Sequence, residues 1–300
     1  MDVAVTVVSP ERVRSWTAEA RAYEAAGFGA LYVPDHVGLV DPFAALGAAA
    51  AVAERMRVGT YVLNVAFWNP LLLARAASTV AAISAGGFDL GLGAGHARVE
   101  FEQAGLRYPP AGERVDRLAA TVDVVARLLD GQTVDDERFA LRGASLGRVA
   151  TPARIVVGGN GDRVLRVAGE RAGAVGLVGV TSGTGQVHTN LSHWTWGGLA
   201  DRIALVERAA AAAGRVTPVA RTVLVQRVVV TDDRRATARE LAELTGTPAD
   251  AHLDSPFVLL GTEHEILDQL HRLRDEATID TVTVFDRDAG TIAPLLPSLA

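Results

Sequence analysis

The sequence predicts an α/β protein of the (β/α)8 (TIM) barrel class, with insertions after strands at the C-terminal face. Three observations predict it. Short β-branched and aliphatic runs alternate with helix-period segments about eight times along the 300 residues. No composition shift marks a linker, so residues 1–300 read as one domain. The two long excursions, Gly95 to Gly112 and Thr181 to Gly198, both follow strand C-termini, where barrel enzymes elaborate their sites. A doubly wound open sheet is the main competitor, but it rarely takes so many regular units and carries its phosphate glycines after the first strand.

The elements follow in order. Val3 to Val8 is the first strand, and Glu11 to Ala26 a helix that Gly27 ends from a C′ position. Ala30 to Val33 is a short buried strand, after which Asp41-Pro42 opens an alanine-rich helix to about Arg55. Arg57 to Asn64 is the third strand, followed by a helix from Pro70, suited to a first turn, to about Ser84. Phe88 to Leu92 is strand four and Glu113 to about Asp130 its helix; Gln132 to Thr151 reads as a loop with a small hairpin. Ile155 to Val157 is strand five, with a helix to about Arg171, and Ala174 to Val178 is strand six. Thr181 to Gly198 has no period and reads as a long loop before a helix from Leu199 to Ala213. Val223 to Val230 is strand seven, Asp232 or Asp233 caps a helix, and Pro256 to Leu260 is extended. Glu263 to Glu276 is helical and Thr281 to Phe285 is strand eight.

Composition excludes several chemistries. With 49% apolar residues the chain can bury a large core, yet no apolar run approaches the ~20 residues of a membrane helix. The N-terminus enters a strand with no basic segment ahead of it, so a cytoplasmic protein without a signal peptide is expected. There is no cysteine, which removes disulfides and thiolate chemistry, and all 29 Lys and Arg positions are arginine. Without lysine there is no Schiff base and no Walker-type phosphate loop. A net charge of −6 with scattered arginines argues against a nucleic-acid surface.

Four stretches carry candidate chemistry. Pro34-Asp35-His36 directly follows strand two, where an imidazole can exchange a proton near neutral pH; read alone, it fits a turn cap and a surface histidine equally well. Strand three ends in Tyr61, Val62 and Asn64, which suit the support and hydrogen bonding of a flat ring but also ordinary barrel packing. Strand four runs into Gly91-Leu92-Gly93-Ala94-Gly95-His96, with Glu100 four residues on. Its third glycine position is a histidine, so it is not a dinucleotide fingerprint. Gly158-Gly159-Asn160-Gly161, with Arg163 just inside the next helix, favours close backbone approach to a phosphate over a plain turn. His188 and His193 sit among Trp194 and Trp196, with no carboxylate at metal-binding spacing. A lid whose aromatics close over a substrate fits that loop better than a metal does.

Taken in order, Tyr32-Val33-Pro34-Asp35-His36, Asp41-Pro42-Phe43, Arg57-Val58-Gly59-Thr60, Asn69-Pro70, Gly86 to His96, Glu113-Arg114-Val115, Gly158 to Gly161 and Ser255 to Thr262 carry a resemblance. The chain resembles the bacterial-luciferase-like flavin enzymes over nearly its whole length, and within them the coenzyme F420-dependent oxidoreductases. The resemblance implies hydride transfer between a deazaflavin and a small organic substrate, by C=C or C=N reduction or alcohol oxidation, in a homodimer. It implies that Asp35 and His36 stand beside the ring, with His36 the proton donor, and that Tyr61-Val62 forms a bulge behind it with a non-proline cis peptide. It further implies that His96 and Glu100 line the cofactor or substrate side, near Gly95, and that Gly158, Gly159, Asn160 and Gly161 hold the cofactor phosphate. Two departures stand out. Gly87 replaces the arginine usual before Phe88, and His96 and Val40 stand where sugar-phosphate enzymes carry a glutamate and a tryptophan, which disfavours sugar-phosphate oxidation. The alternatives on the same barrel are an FMN-dependent monooxygenase and a non-catalytic flavin-binding protein.

Overall fold

Alternation with period two along each strand decides what lies on either side of the sheet. The computed structural model describes residues 1–147, 151–183 and 186–299, with backbone alone at residues 10, 181–183 and 186–189. Its parallel strands β1 (Asp2–Thr6), β2 (Ala30–Val33), β3 (Arg57–Thr60), β4 (Phe88–Gly93), β5 (Arg154–Gly158), β6 (Ala174–Leu177), β7 (Ala220–Leu224) and β8 (Thr281–Phe285) close into a barrel. β1 pairs with both β2 and β8, which completes the ring. Between β3 and β4 the pairing is Val58 opposite Phe88 low down and Leu63–Asn64 opposite Leu92–Gly93 above.

Helices cover the outside. α1 (Trp16–Ala25), α2 (Pro42–Ala50) and α3 (Pro70–Ile83) follow the first three strands. Asp41 caps α2 by accepting from the Ala44 N–H at 2.7 Å, and Asn69 caps α3 from Leu71 and Leu72, each with proline at the start of the helix. α4 (Arg98–Gln103) and α5 (Ala111–Leu129) follow β4, α6 (Asp162–Arg171) follows β5, and α7 (Trp196–Ala212) follows β6. α8 (Arg234–Thr245), capped by Asp233, α9 (Ala249–Leu253) and α10 (Glu263–Asp275) lie between β7 and β8.

Val3, Val5, Leu31, Val33, Ile155, Val157, Val175 and Leu177 belong to the large core shared with the helices. Their strand neighbours Ala4, Ala30, Tyr32, Val156 and Ala174 form a second cluster with Tyr61, inside the barrel. The two tyrosine rings stack at 5.2 Å between centroids within that interior. Below them Asp89, fully buried, accepts from the Tyr32 hydroxyl at 2.8 Å and from Arg154 through Nε at 2.9 Å and Nη2 at 2.7 Å. Arg57 adds a third donor at 3.2 Å. This charged plug lies at the N-terminal end of the barrel, at the strand starts of β3 and β5 and the second residue of β4.

Four expectations need correction. The apolar run Val223 to Val230 is not one strand: the chain leaves the barrel at Val225, whose N–H reaches Thr283 O. Arg227–Val230 then pairs in parallel with Val258–Gly261. The strand read from Arg57 to Asn64 is interrupted at Tyr61-Val62, where the expected non-proline cis peptide bond is present, before Leu63–Asn64 resumes. The 181–198 stretch contains an antiparallel hairpin, Val180–Gly183 with Gln186–Thr189, and α7 begins at Trp196 rather than Leu199; residues 184 and 185 lie outside the described residues. The excursion after β4 holds the short helix α4. The small hairpin expected between residues 132 and 151 is present as Val134–Asp136 with Leu141–Ala144. Residues 148–150 lie outside the described residues.

Removing the shared carboxylate strands two guanidinium groups and one hydroxyl. Both guanidinia remain about a third exposed, at 35% and 33%, so water relieves part of the loss. Asp89→Ala is expected to lower unfolding free energy by about 3 kcal/mol, the low end for a broken buried ion pair. Urea denaturation measures it, and an unchanged midpoint would remove the plug from the account of stability.

Candidate active site

The strand C-termini surround a cavity of about 440 Å³. Its wall comprises Asp35 and His36 after β2, Tyr61 to Asn64 after β3, Gly93 to His96 after β4, and Gly158 to Gly161 after β5. Val178 and Val180 beyond β6, Leu224 on β7, Glu100 on α4 and Arg114 on α5 also line it. The flat side is built by close backbone approach. A Cβ at Gly93 would stand 2.7 Å from Val62 Cγ2, one at Gly158 2.6 Å from Val62 Cγ1, and one at Gly176 2.7 Å from the Tyr61 hydroxyl. Only glycine at these positions lets residues 61 and 62 sit where they do. Gly95, at φ +73, packs its backbone against the Asn64 amide and is held by Arg114 Nη1, which donates to Gly95 O.

The titratable groups gather on one side. His36 Nδ1 lies 2.6 Å from Glu100 Oε1, although the residues are 64 positions apart. A carboxylate only accepts, so Nδ1 carries the hydrogen and Nε2 is left as the acceptor. The His96 ring meets His36 edge-on at 5.7 Å. Burial, and then the charge of His36, hold the His96 imidazole below its ordinary value of 6.5, which favours its uncharged form. Burial raises the Asp35 carboxyl above its ordinary range, against hydrogen bonds from Trp68 Nε1 at 2.8 Å and the Asn64 N–H at 3.3 Å. Arg117 of α5 in turn holds the carbonyls of Val65 and Trp68, each at 3.2 Å.

Most of the residues singled out in the sequence therefore meet at one cavity: Asp35, His36, Tyr61, Val62, Asn64, Gly95, His96, Glu100 and Gly158 to Gly161. Arg163 does not line it. Its guanidinium reaches Asp116 on α5 at 2.6 Å, and Arg114 is the cation on the wall, its Nε buried without a partner. Nor do the tryptophans form a lid. Trp194 is buried, stacked on Phe257 at 5.6 Å, and Arg272 lies 4.0 Å over the Trp196 ring. His193 accepts from the Asn160 amide at 2.8 Å, which ties the glycine loop to the 190s; the His188 side chain lies outside the described residues. Among the described residues no group of three histidines and acids is arranged to hold a metal, and no helix is long and apolar enough to cross a membrane.

A model of the luciferase-like monooxygenases matches residues 1–292. The chain belongs to this family. It is 30% identical over 149 residues to the 5,10-methylenetetrahydromethanopterin reductase of Archaeoglobus fulgidus, covering 49% of the chain and 44% of that protein. It is 36% identical over 157 residues to an F420-dependent glucose-6-phosphate dehydrogenase of Kribbella flavida, covering 50% and 46%. The chain thus spans about half the length of the curated relatives it matches. Over their whole lengths, the fold matches that of an F420-dependent secondary alcohol dehydrogenase in complex with an F420-acetone adduct. The TM-score is 0.79 at 17% identity, over 100% and 99% of the two chains.

Burial lowers the imidazoles of His96, His193 and His252 alike. Their unfolded forms bind protons more readily, so this stability is complete above their ordinary value of 6.5 and is lost as pH falls through the lowered folded values. Asp35, raised on folding, acts in the opposite sense from its ordinary 3.8 upward. The urea midpoint is expected to fall between about pH 7 and about pH 5, and His96→Gln to flatten that slope. A slope identical in the variant would show that His96 titrates as it does unfolded.

Proposed function

We propose that the chain is a coenzyme F420-dependent oxidoreductase that transfers a hydride between the deazaflavin and a small organic substrate. The observation that carries it is the pairing of a proton-transfer group with a flat, glycine-walled cavity: His36, held through Nδ1 by Glu100, beside the Tyr61-Val62 wall. The name of the Kribbella flavida relative, an F420-dependent dehydrogenase, supports the choice of cofactor.

The residues fit such a group on three counts. Asn64 Nδ2 is buried, has no partner and lies in the wall, so it suits a ring carbonyl or nitrogen. Val62, framed by Gly93 and Gly158, offers an apolar face to a planar system. The loop Gly158 to Gly161 runs into the N-terminus of α6, where backbone N–H groups favour a phosphate, and a Cβ at Gly161 would meet nothing within 4 Å. When bound, the deazaflavin supplies or accepts two electrons as a hydride, while the protein supplies orientation and the accompanying proton.

In this reading His36 Nε2 exchanges that proton with the substrate. Glu100 fixes the tautomer and stabilises the imidazolium. Asp35, clamped by Trp68 and the Asn64 N–H, holds the turn that carries His36. His96, its uncharged form favoured by burial, offers a donor or acceptor at the rim, and Arg114 holds the Gly95 carbonyl so that the glycine turn keeps its shape. An FMN-dependent monooxygenase would use the same wall and phosphate loop, and the family's description keeps it as the second reading.

His36→Ala is expected to slow single-turnover hydride transfer by ~10²–10⁴-fold, with cofactor affinity within a few-fold. His96→Ala should act more on binding than on the transfer step, and the reverse pattern would exchange the two roles. Gly161→Asp separates the phosphate loop from a structural turn. Gly161 is the helix N-cap at φ −75, so aspartate suits the backbone and the melting temperature should hold or rise. Its charge should weaken cofactor binding by roughly ten-fold, about 1.4 kcal/mol. Unchanged affinity would take the phosphate out of this loop.

A further inference from the structure

Val180 stands in the wall of a second cleft, of about 560 Å³, as well as in that of the first. This cleft lies between the start of the 180–189 hairpin, the C-terminal end of α8 and the segment leaving β7. Its apolar side includes Leu191, Leu241 and Leu244, and two of these leucines are far from buried, at 49% for Leu191 and 82% for Leu244. Its polar side presents Arg227 and Arg287, about 44% and 46% exposed. Both guanidinia lean on one carboxylate, Asp288, at 3.5 and 3.8 Å, and Arg287 also donates to Gln226 O at 2.9 Å. Two cations on one carboxylate leave a positive charge at the mouth. Among the described lining residues there is no aspartate or glutamate, although the whole chain carries −6.

A concave site lined by exposed leucines and by a guanidinium pair that shares a single carboxylate suits an amphipathic anion. Guanidinium forks match carboxylate and phosphate geometry, and the leucine side removes apolar surface from water. We propose that this cleft is a binding site for an amphipathic organic anion, its carboxylate or phosphate head on Arg227 and Arg287 and its apolar body along Leu191, Leu241 and Leu244. The site uses none of the groups assigned to hydride transfer, so it stands or falls apart from that reading.

The test is calorimetric titration of the full cofactor-free chain with octanoate, octyl phosphate and octanol. At least one anion should bind about ten-fold or more tightly than the alcohol, and the tighter of the two identifies the head group. Leu244→Glu places an acid in the cleft at a position with little packing to lose. It should weaken the anion by about ten-fold with the melting temperature unchanged, and Arg287→Gln should weaken it similarly. If octanol binds as well as both anions, or if Leu244→Glu leaves the preferred anion's affinity intact, the arginines serve only to neutralise Asp288 and the proposal is overturned. A failed F420 titration in the same preparation would bear on the hydride reading alone.

Discussion

The close approach of residues 60–62 to four inward glycines is the constraint on which the cavity depends. A Cβ at Gly91 would fall on the Thr60 carbonyl, and those at Gly93, Gly158 and Gly176 would lie within 2.7 Å of Val62 or Tyr61. Because these positions have no side chain, Tyr61 drops into the barrel onto Tyr32 while Val62 stays at the cavity wall. The interior is thus closed by stacked rings above the Asp89 plug, and the cavity ends on a firm floor. A barrel interior packed with branched side chains throughout would leave no such recess.

The two ends of the barrel use charge differently. At the N-terminal end Asp89 is saturated by a hydroxyl and two guanidinia, an arrangement suited to holding strands together. At the C-terminal end the titratable and polar groups of the wall are less fully satisfied. Asp35 is raised by burial, His96 is lowered by it, and Asn64 Nδ2 and Arg114 Nε have no partner. Incomplete satisfaction beside a cavity is where ligand recognition is expected, since each such group gains a hydrogen bond only on binding.

Much of the architecture was legible because barrel strands are short, buried and regularly spaced, so each announces itself locally. Strand seven was overread because Val223 to Val230 stays apolar across the point where the chain leaves the barrel at Val225. The 180–189 hairpin was invisible because Thr181-Ser182-Gly183 carries no apolar alternation, and α4 because six residues with only Phe101 buried show little helical period. Individual site residues could be named from their places after strands, but the His36–Glu100 contact spans 64 positions and no local pattern encodes it. Arg163 drew attention by adjacency to the glycine loop. Arg114, the cation in the wall, looked like part of a helix start, and only the packing of α5 against the glycine turn reveals it. The aromatic character of the 190s suggested a lid, whereas Trp194 serves the core against Phe257.

Cofactor identity is the claim from which the proposed chemistry follows, and direct titration reads it without a substrate. Oxidised coenzyme F420 should bind the cofactor-free chain about ten-fold or more tightly than FMN, a difference of ~1.4 kcal/mol. Equal or reversed affinities would contradict the deazaflavin account and favour a flavin monooxygenase on the same barrel.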